Sequence, residues 1–130
     1  MKKGRVVYIG ARESGVNSKN VKQWESRWLI ENKIIVKTFN CHAGSNDKEM
    51  SLALNLYALL NVLLSDFKKP MFTTVYSSSI ATINCLHHRE AGIGLSNELM
   101  RNAIAAIVRK RSVRIDVKYI KEADNLALRK

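Results

Sequence analysis

The stretch Asp47–Ser65, DKEMSLALNLYALLNVLLS, decides how the rest of the chain is read. No residue from Met50 to Ser65 carries a charge, and leucine recurs around nearly the whole helical circumference. Asn46 followed three residues later by Glu49 has the spacing of a capping box, which satisfies free N–H groups at a helix start. A helix apolar on most of its sides needs cover from more than one direction, so it belongs between the layers of a core. A membrane span needs roughly 20 apolar residues. This run is shorter and is interrupted by Asn55 and Asn61. The pattern predicts a central buried helix.

The chain has 130 residues, which fits one domain able to bury its own core without metals or disulfides. Its 22 Lys and Arg against 11 Asp and Glu leave a formal charge of +11. Such an excess on a small domain points to a polyanionic partner, most often nucleic acid and less often acidic lipid; the plain alternative is charge that keeps a protein soluble. Two cysteines, Cys41 and Cys85, are too few for a disulfide framework and suit a reducing compartment. The N-terminal MKKGRVVYIGARESG is basic, but its apolar run is too short for a signal peptide. The expected location is the cytoplasm, or the nucleus of a eukaryotic source, with no membrane role.

Before the central helix, residues 5–11 (RVVYIGA) read as a buried strand ending at glycine, and residues 12–20 as a polar loop. Residues 21–31 (VKQWESRWLIE) place Gln23, Glu25 and Arg27 on one face and Trp24 and Trp28 on the other. Asn32 turns the chain into a partner strand, residues 33–40, which makes a hairpin. Trp24, Trp28 and Leu29 would also suit a helix.

After the central helix, Lys68, Lys69 and Pro70 mark its exit. Residues 71–77 (MFTTVYS) are strand-like, and residues 78–88 begin a second helix on Ile80, Ile83 and Leu86. Past Gly92 and Gly94, Ser96 or Asn97 is expected to cap a third helix to about Lys110. Its core face should carry Leu99, Ala103, Ile104, Ile107 and Val108. Residues 112–120 (SVRIDVKYI) alternate cleanly, with Val113, Ile115, Val117 and Tyr119 on one face. The final EADNLALRK has room for a short helix. Strands joined without helices should be antiparallel, and a strand–helix–strand crossover should be right-handed and parallel. Ligand sites in such sheets lie at the C-terminal ends of adjacent parallel strands.

This order, with three local motifs, resembles the ribonuclease H family and the wider superfamily that includes integrases. SNDKEMSLALNLYALL resembles the family's first-helix motif, and Glu49 takes the place of its catalytic glutamate. VYSSSIATI resembles the second acidic motif, a strand running into a Tyr-Ser-Asp-Ser turn; Tyr76, Ser77 and Ser79 match, and Ser78 stands at the aspartate. EADNLALRK is similar to the last motif, with Asp124 opening the final helix. The first motif, normally a strand ending in Asp-Gly, is here YIGA, with Gly10 (or Ile9 in a shifted alignment) at the aspartate.

The resemblance implies an α/β domain spanning residues 1–130: a mixed five-stranded sheet in the order 3-2-1-4-5, with helices on both faces. In the family, carboxylates hold two divalent ions that activate water against a phosphodiester. Here two of four acidic positions, Gly10 and Ser78, are not acidic, and the loop bearing glycine and histidine before the last aspartate is absent. Glu49 and Asp124 remain, and are expected to approach each other and to hold Mg²⁺ or Mn²⁺ weakly if at all. Glu13 and Asp47 lie close in sequence to two of the corners and are the acids that would replace the missing ones.

Cys41, His42, Cys85, His87 and His88 lack zinc spacing, since adjacent ligands on a strand or helix diverge. Ser77, Ser78 and Ser79 have no histidine at triad spacing and fit strand-to-helix turn chemistry better than a nucleophile. Trp24 and Trp28 could stack bases, but paired large aromatics more often belong to a core. Arg109, Lys110 and Arg111 suit a helix C-terminus. With Arg114, Lys118 and Lys121, and with Lys2, Lys3 and Arg5, they also make a candidate phosphate-binding surface. Three readings result: a nucleic-acid-binding or scaffolding domain with a degenerate two-metal site, its partner an RNA–DNA hybrid or duplex; an active nuclease on such hybrids; or a protein-interaction subunit.

Overall fold

The structure, a computed structural model, describes residues 4–41, 46–65, 72–88, 93–111 and 113–129. The expected features at Lys2, Lys3, His42, Lys68, Lys69, Pro70, Met71, Gly92 and Ser112, and the side chain of His88, lie outside them. The elements run β1 (Arg5–Val16), β2 (Lys22–Ile30), β3 (Lys33–Asn40), α1 (Asp47–Ser65), β4 (Phe72–Ser77), α2 (Ile80–His88), α3 (Leu95–Arg111) and β5 (Arg114–Tyr119). Two single-turn 3-10 helices follow, Glu122–Asp124 and Leu126–Leu128.

The five strands form one mixed sheet in the order β3-β2-β1-β4-β5. β1 pairs antiparallel with β2 and parallel with β4, and β4 pairs parallel with β5. The order and the parallel centre are those expected. β1 is longer than its apolar run: residues 12–16 stay paired to β2 instead of forming a loop, because backbone pairing does not require apolar side chains. The register slips between Glu13 and Gly15, where Gly15 takes φ +126, a conformation that suits glycine. The β2–β3 turn places Glu31 and Asn32 at φ 51 and 65, the backbone of a two-residue hairpin whose twist matches its strands.

α1 lies on one face of the sheet. Val7, Ile9, Trp28, Val75 and Val117 meet Leu52, Leu56, Leu59, Val62 and Leu63 in the main core. Trp24 joins Met50 and Leu54 in a second cluster, so both tryptophans are core residues. α3 contributes Ile104 to the main core, with Met100, Ile107 and Val108 packed at its edge. Leu99, expected on that face, is 60% exposed. The helix starts at Leu95, with the Glu98 N–H bonded to the Gly94 carbonyl, and it turns Met100 and Ile104 toward the core in place of Leu99. Asn97 is a buried first-turn residue donating to Ile93 O, not the cap. Tyr119, expected on the core face of β5, ends the strand and is 53% exposed.

The helices on the two faces are unequal. Ser26 donates to Leu54 O of α1. The next residue, Arg27, faces the other way and donates to Ala127 O and Arg129 O of the C-terminal segment. Among the described residues the second face thus carries the two 3-10 turns and no α-helix. No described helix is long and apolar enough to cross a membrane.

Candidate functional site

β1 and β4 run parallel side by side, with Ile9 opposite Ser77 as their last pair, so Gly10 and Ser78 stand together at one sheet edge. The first half of α1 overhangs that edge. A cleft of about 390 Å³ opens there, with Gly10, Ser78, Ser51, Asn55, Trp24 and Leu128 among its walls. Glu13, Asp47, Glu122, Arg12 and Lys48 supply its charged lining.

The polar groups at the floor are bonded to one another. The Ser77 hydroxyl donates to Asn55 Oδ1 at 3.0 Å, and Asn55 Nδ2 donates to Ser51 O. Ser79 accepts from the Thr82 N–H and hydroxyl, which caps the start of α2. The serine cluster is thus turn and cap chemistry, as its spacing suggested. Asn125, fully buried, donates through Nδ2 to Ile9 O at 2.9 Å and to the Ser78 hydroxyl at 3.2 Å. Its Oδ1 accepts from the Ala127 N–H. One amide side chain therefore ties the ends of β1 and β4 to the C-terminal turn.

The segment after Asn125 is held from below by arginines. Arg27, 6% exposed, donates to Ala127 O at 2.7 Å and to Arg129 O at 2.6 Å, and Arg12 donates to Leu128 O at 2.9 Å. Both guanidiniums also bond Glu25 Oε1. Burial pushes the Glu25 carboxyl up, but the hydrogen bonds from Arg12 and Arg27 and their charges outweigh it and hold it below its ordinary range. Leu128 is thereby set directly over Gly10, where an added Cβ would lie 2.6 Å from Leu128 Cδ2.

The acids singled out in the sequence separate into two groups. Glu49 is exposed in the first turn of α1. Its N–H bonds Asn46 Oδ1 at 2.8 Å, which caps the helix, and its carboxylate accepts the return bond from Asn46 Nδ2 at 3.1 Å, a side-chain donor in place of the Asn46 N–H of a full capping box. Asp124 is exposed in the first 3-10 turn, and neither it nor Glu49 lines the cleft. Glu13 and Asp47 do line it, and both hold Lys22 Nζ, at 3.0 and 3.5 Å. The Glu13 hydrogen bond, then the charges of Asp47 and Glu13, raise the Lys22 pKa above its ordinary value.

The basic residues come from several elements. Arg109 and Lys110 are exposed at the end of α3, while Arg111 donates to Leu63 O and so ties α3 to α1. Arg114 and Lys118 are exposed on one face of β5, with Lys118 3.6 Å from Asp116. Lys121 is exposed where the first 3-10 turn begins, and Arg5 donates to Thr73 Oγ1. Cys85 is buried in the core, Cys41 packs against the second cluster, and His87 is exposed. Among the described residues no three of His, Cys, Asp and Glu come together as a metal site would require.

No family model matches the sequence, and no curated protein matches it. LC11-RNase H1, solved in complex with an RNA/DNA hybrid, superposes with a TM-score of 0.61 at 12% identity over 93% of this chain and 88% of that one. RNase H1 from the halophilic archaeon Halobacterium salinarum gives 0.60 at 12% identity over 95% and 91%. The fold is ribonuclease H-like. A ribonuclease H-like fold is shared too with the protease–reverse transcriptase of prototype foamy virus, with a TM-score of 0.59 at 10% identity; 95% of this chain matches 18% of that one.

Asn125, Leu128 and the Arg12–Glu25–Arg27 cluster were not singled out from the sequence. An asparagine directly before Leu-Ala-Leu is a capping signal, and it is the one local cue that would have found Asn125. Nothing in the alternation of β2 distinguishes Arg27 from a solvated polar residue, because its burial depends on a segment 100 residues away.

Proposed function

We propose that the chain is a nucleic-acid-binding domain, or a scaffold built on one, in which the ribonuclease H-like two-metal site is largely lost. One observation carries this reading: the sheet edge at Gly10 and Ser78 is neutral, bonded within itself and filled by Leu128. Paired-ion hydrolysis of a phosphodiester needs several carboxylates, and Mg²⁺ exchanges its waters for little else. Gly10 offers no ligand, and Ser78 and Asn125 are neutral and engaged with each other, so these residues do not fit a pair of divalent ions. Any Mg²⁺ or Mn²⁺ is held weakly, through Glu49 or Asp124 and retained water. No hydrolytic step is assigned to the site.

Binding rests on the charge of +11 and on Arg109, Lys110, Arg114, Lys118 and Lys121 as exposed cations. The partner of this reading is an RNA–DNA hybrid or duplex, the ligand class named for LC11-RNase H1. A working nuclease is the rival, favoured by Glu13 and Asp47 in the same cleft, though Lys22 bridges them and offsets one of their two charges.

Labelled RNA–DNA hybrid incubated with the purified protein in Mg²⁺ or Mn²⁺ separates them. Binding without cleavage is expected. Robust cleavage that Glu49→Gln abolishes would overturn the proposal in favour of the nuclease. Absence of binding even at low salt would favour a protein-interaction subunit.

A further inference from the structure

The face of the sheet turned away from α1 carries a feature that the strand-edge cleft does not use. Val7, Ile9, Thr73, Val75 and Ser77 are fully buried, so alternation places Val6, Tyr8, Phe72, Thr74 and Tyr76 on the opposite face. The register sets them in rows with β5: Phe72 beside Arg114, Val6–Thr74–Asp116, and Tyr8–Tyr76–Lys118. A solvated sheet face ordinarily alternates to polar residues. Here two central strands instead leave Phe72 47% and Val6 52% exposed. The rings of Tyr8 and Tyr76 stack, with centroids 5.3 Å apart and planes 26° from parallel.

β5, on the flank of these aromatics, presents a charged residue at each of its three positions on this face: Arg114, Asp116 and Lys118. Asp116 is paired with Lys118, so the flank stays net positive. Arg114 and Lys118, four residues apart on one strand, are about 13 Å apart.

We propose that this face is a second site, separate from the cleft, that binds single-stranded nucleic acid by stacking its bases. Bases add to the Tyr8–Tyr76 stack and lie against Phe72, while the phosphates follow Arg114 and Lys118. A duplex keeps its bases inside and cannot use the rings, so the ligand is a single strand. A protein partner fits less well, because charged residues are depleted at the centre of protein interfaces and one of the three strands here is charged throughout.

The test measures anisotropy of labelled oligo-uridine and oligo-thymidine with the full chain, beside the RNA–DNA hybrid. Phe72→Ala and Tyr76→Ala should each weaken single-strand binding by roughly five- to a hundred-fold and leave hybrid binding unchanged. Phe72→Trp should retain binding, and the new indole should be quenched by the bound strand. It decides the matter if an alanine variant fails to fold. Binding of either oligonucleotide that Phe72→Ala and Tyr76→Ala weaken supports the site. Unchanged single-strand affinity in Phe72→Ala and Tyr76→Ala overturns it. So does a sedimentation mass of two chains that Phe72→Glu returns to one, since a second copy would then cover the face. Arg109→Glu with Lys110→Glu, tested on the hybrid, reports on the first proposal separately.

Discussion

Leu128 closes over Gly10 so tightly that a Cβ on the glycine would stand 2.6 Å from its Cδ2 and 2.9 Å from its Cγ. The two residues are far apart in the chain, and what brings them together is a run of C-terminal carbonyls accepting hydrogen bonds from Arg12 and Arg27. The sheet edge and the last turn are therefore one structural unit.

Gly10→Asp should destabilise the fold by about 1–3 kcal/mol, because Leu128 must swing away to admit the new side chain. The contact is with the far end of a flexible side chain, so Leu128→Ala in the same chain should recover much of the loss. Urea midpoints of the wild type and the two variants check this. Adding Ser78→Asp to that pair is expected to give a Mg²⁺-dependent rise in Tm that the wild type lacks.

Arg27→Met should cost about 2–4 kcal/mol, since it leaves the buried Ala127 carbonyl without its arginine donor, frees the Arg129 carbonyl and removes one cation from Glu25. Amide exchange should quicken at Ala127, whose N–H bonds Asn125 Oδ1, before the core strands are affected. Arg27→Lys should rescue only in part, because an ammonium lacks the fork that reaches Ala127 O and Arg129 O together.

Glu25 predicts the acid limb of stability. Its pKa is lower in the folded chain than the ordinary 4.5, so its contribution is present above that value and is lost as pH falls through the depressed one. Stability to urea should decline on acidification below about pH 4.5. Glu25→Gln should be less stable at neutral pH and should flatten that limb, with the two curves converging in acid.

Hybrid binding should weaken steeply with salt. Contact with four to six phosphates corresponds to a log–log slope of about −3 to −5, and Arg109→Glu, Lys110→Glu and Arg114→Glu together should make it shallower. Arg111 is best left intact in such a series, since its bond to Leu63 O joins α3 to α1. A titration of affinity against salt gives the slope directly.

The sequence by itself determined the architecture. An uncharged leucine-rich helix, a cleanly alternating last strand and the order of elements sufficed for a mixed sheet covered by helices, because periodicity and crossover handedness are local properties, and the resemblance of three motifs to the ribonuclease H family added the 3-2-1-4-5 order. It also placed the Asn46–Glu49 cap and Gly10 and Ser78 at neighbouring strand ends. Tertiary structure decided what fills that edge. Asn125 takes the buried position while Asp124, one residue earlier, faces solvent, a choice made by the phase of a single 3-10 turn. Arg27 is buried and Leu99 exposed for the same reason: burial depends on which distant segment arrives to cover a residue, and no local pattern encodes that arrival.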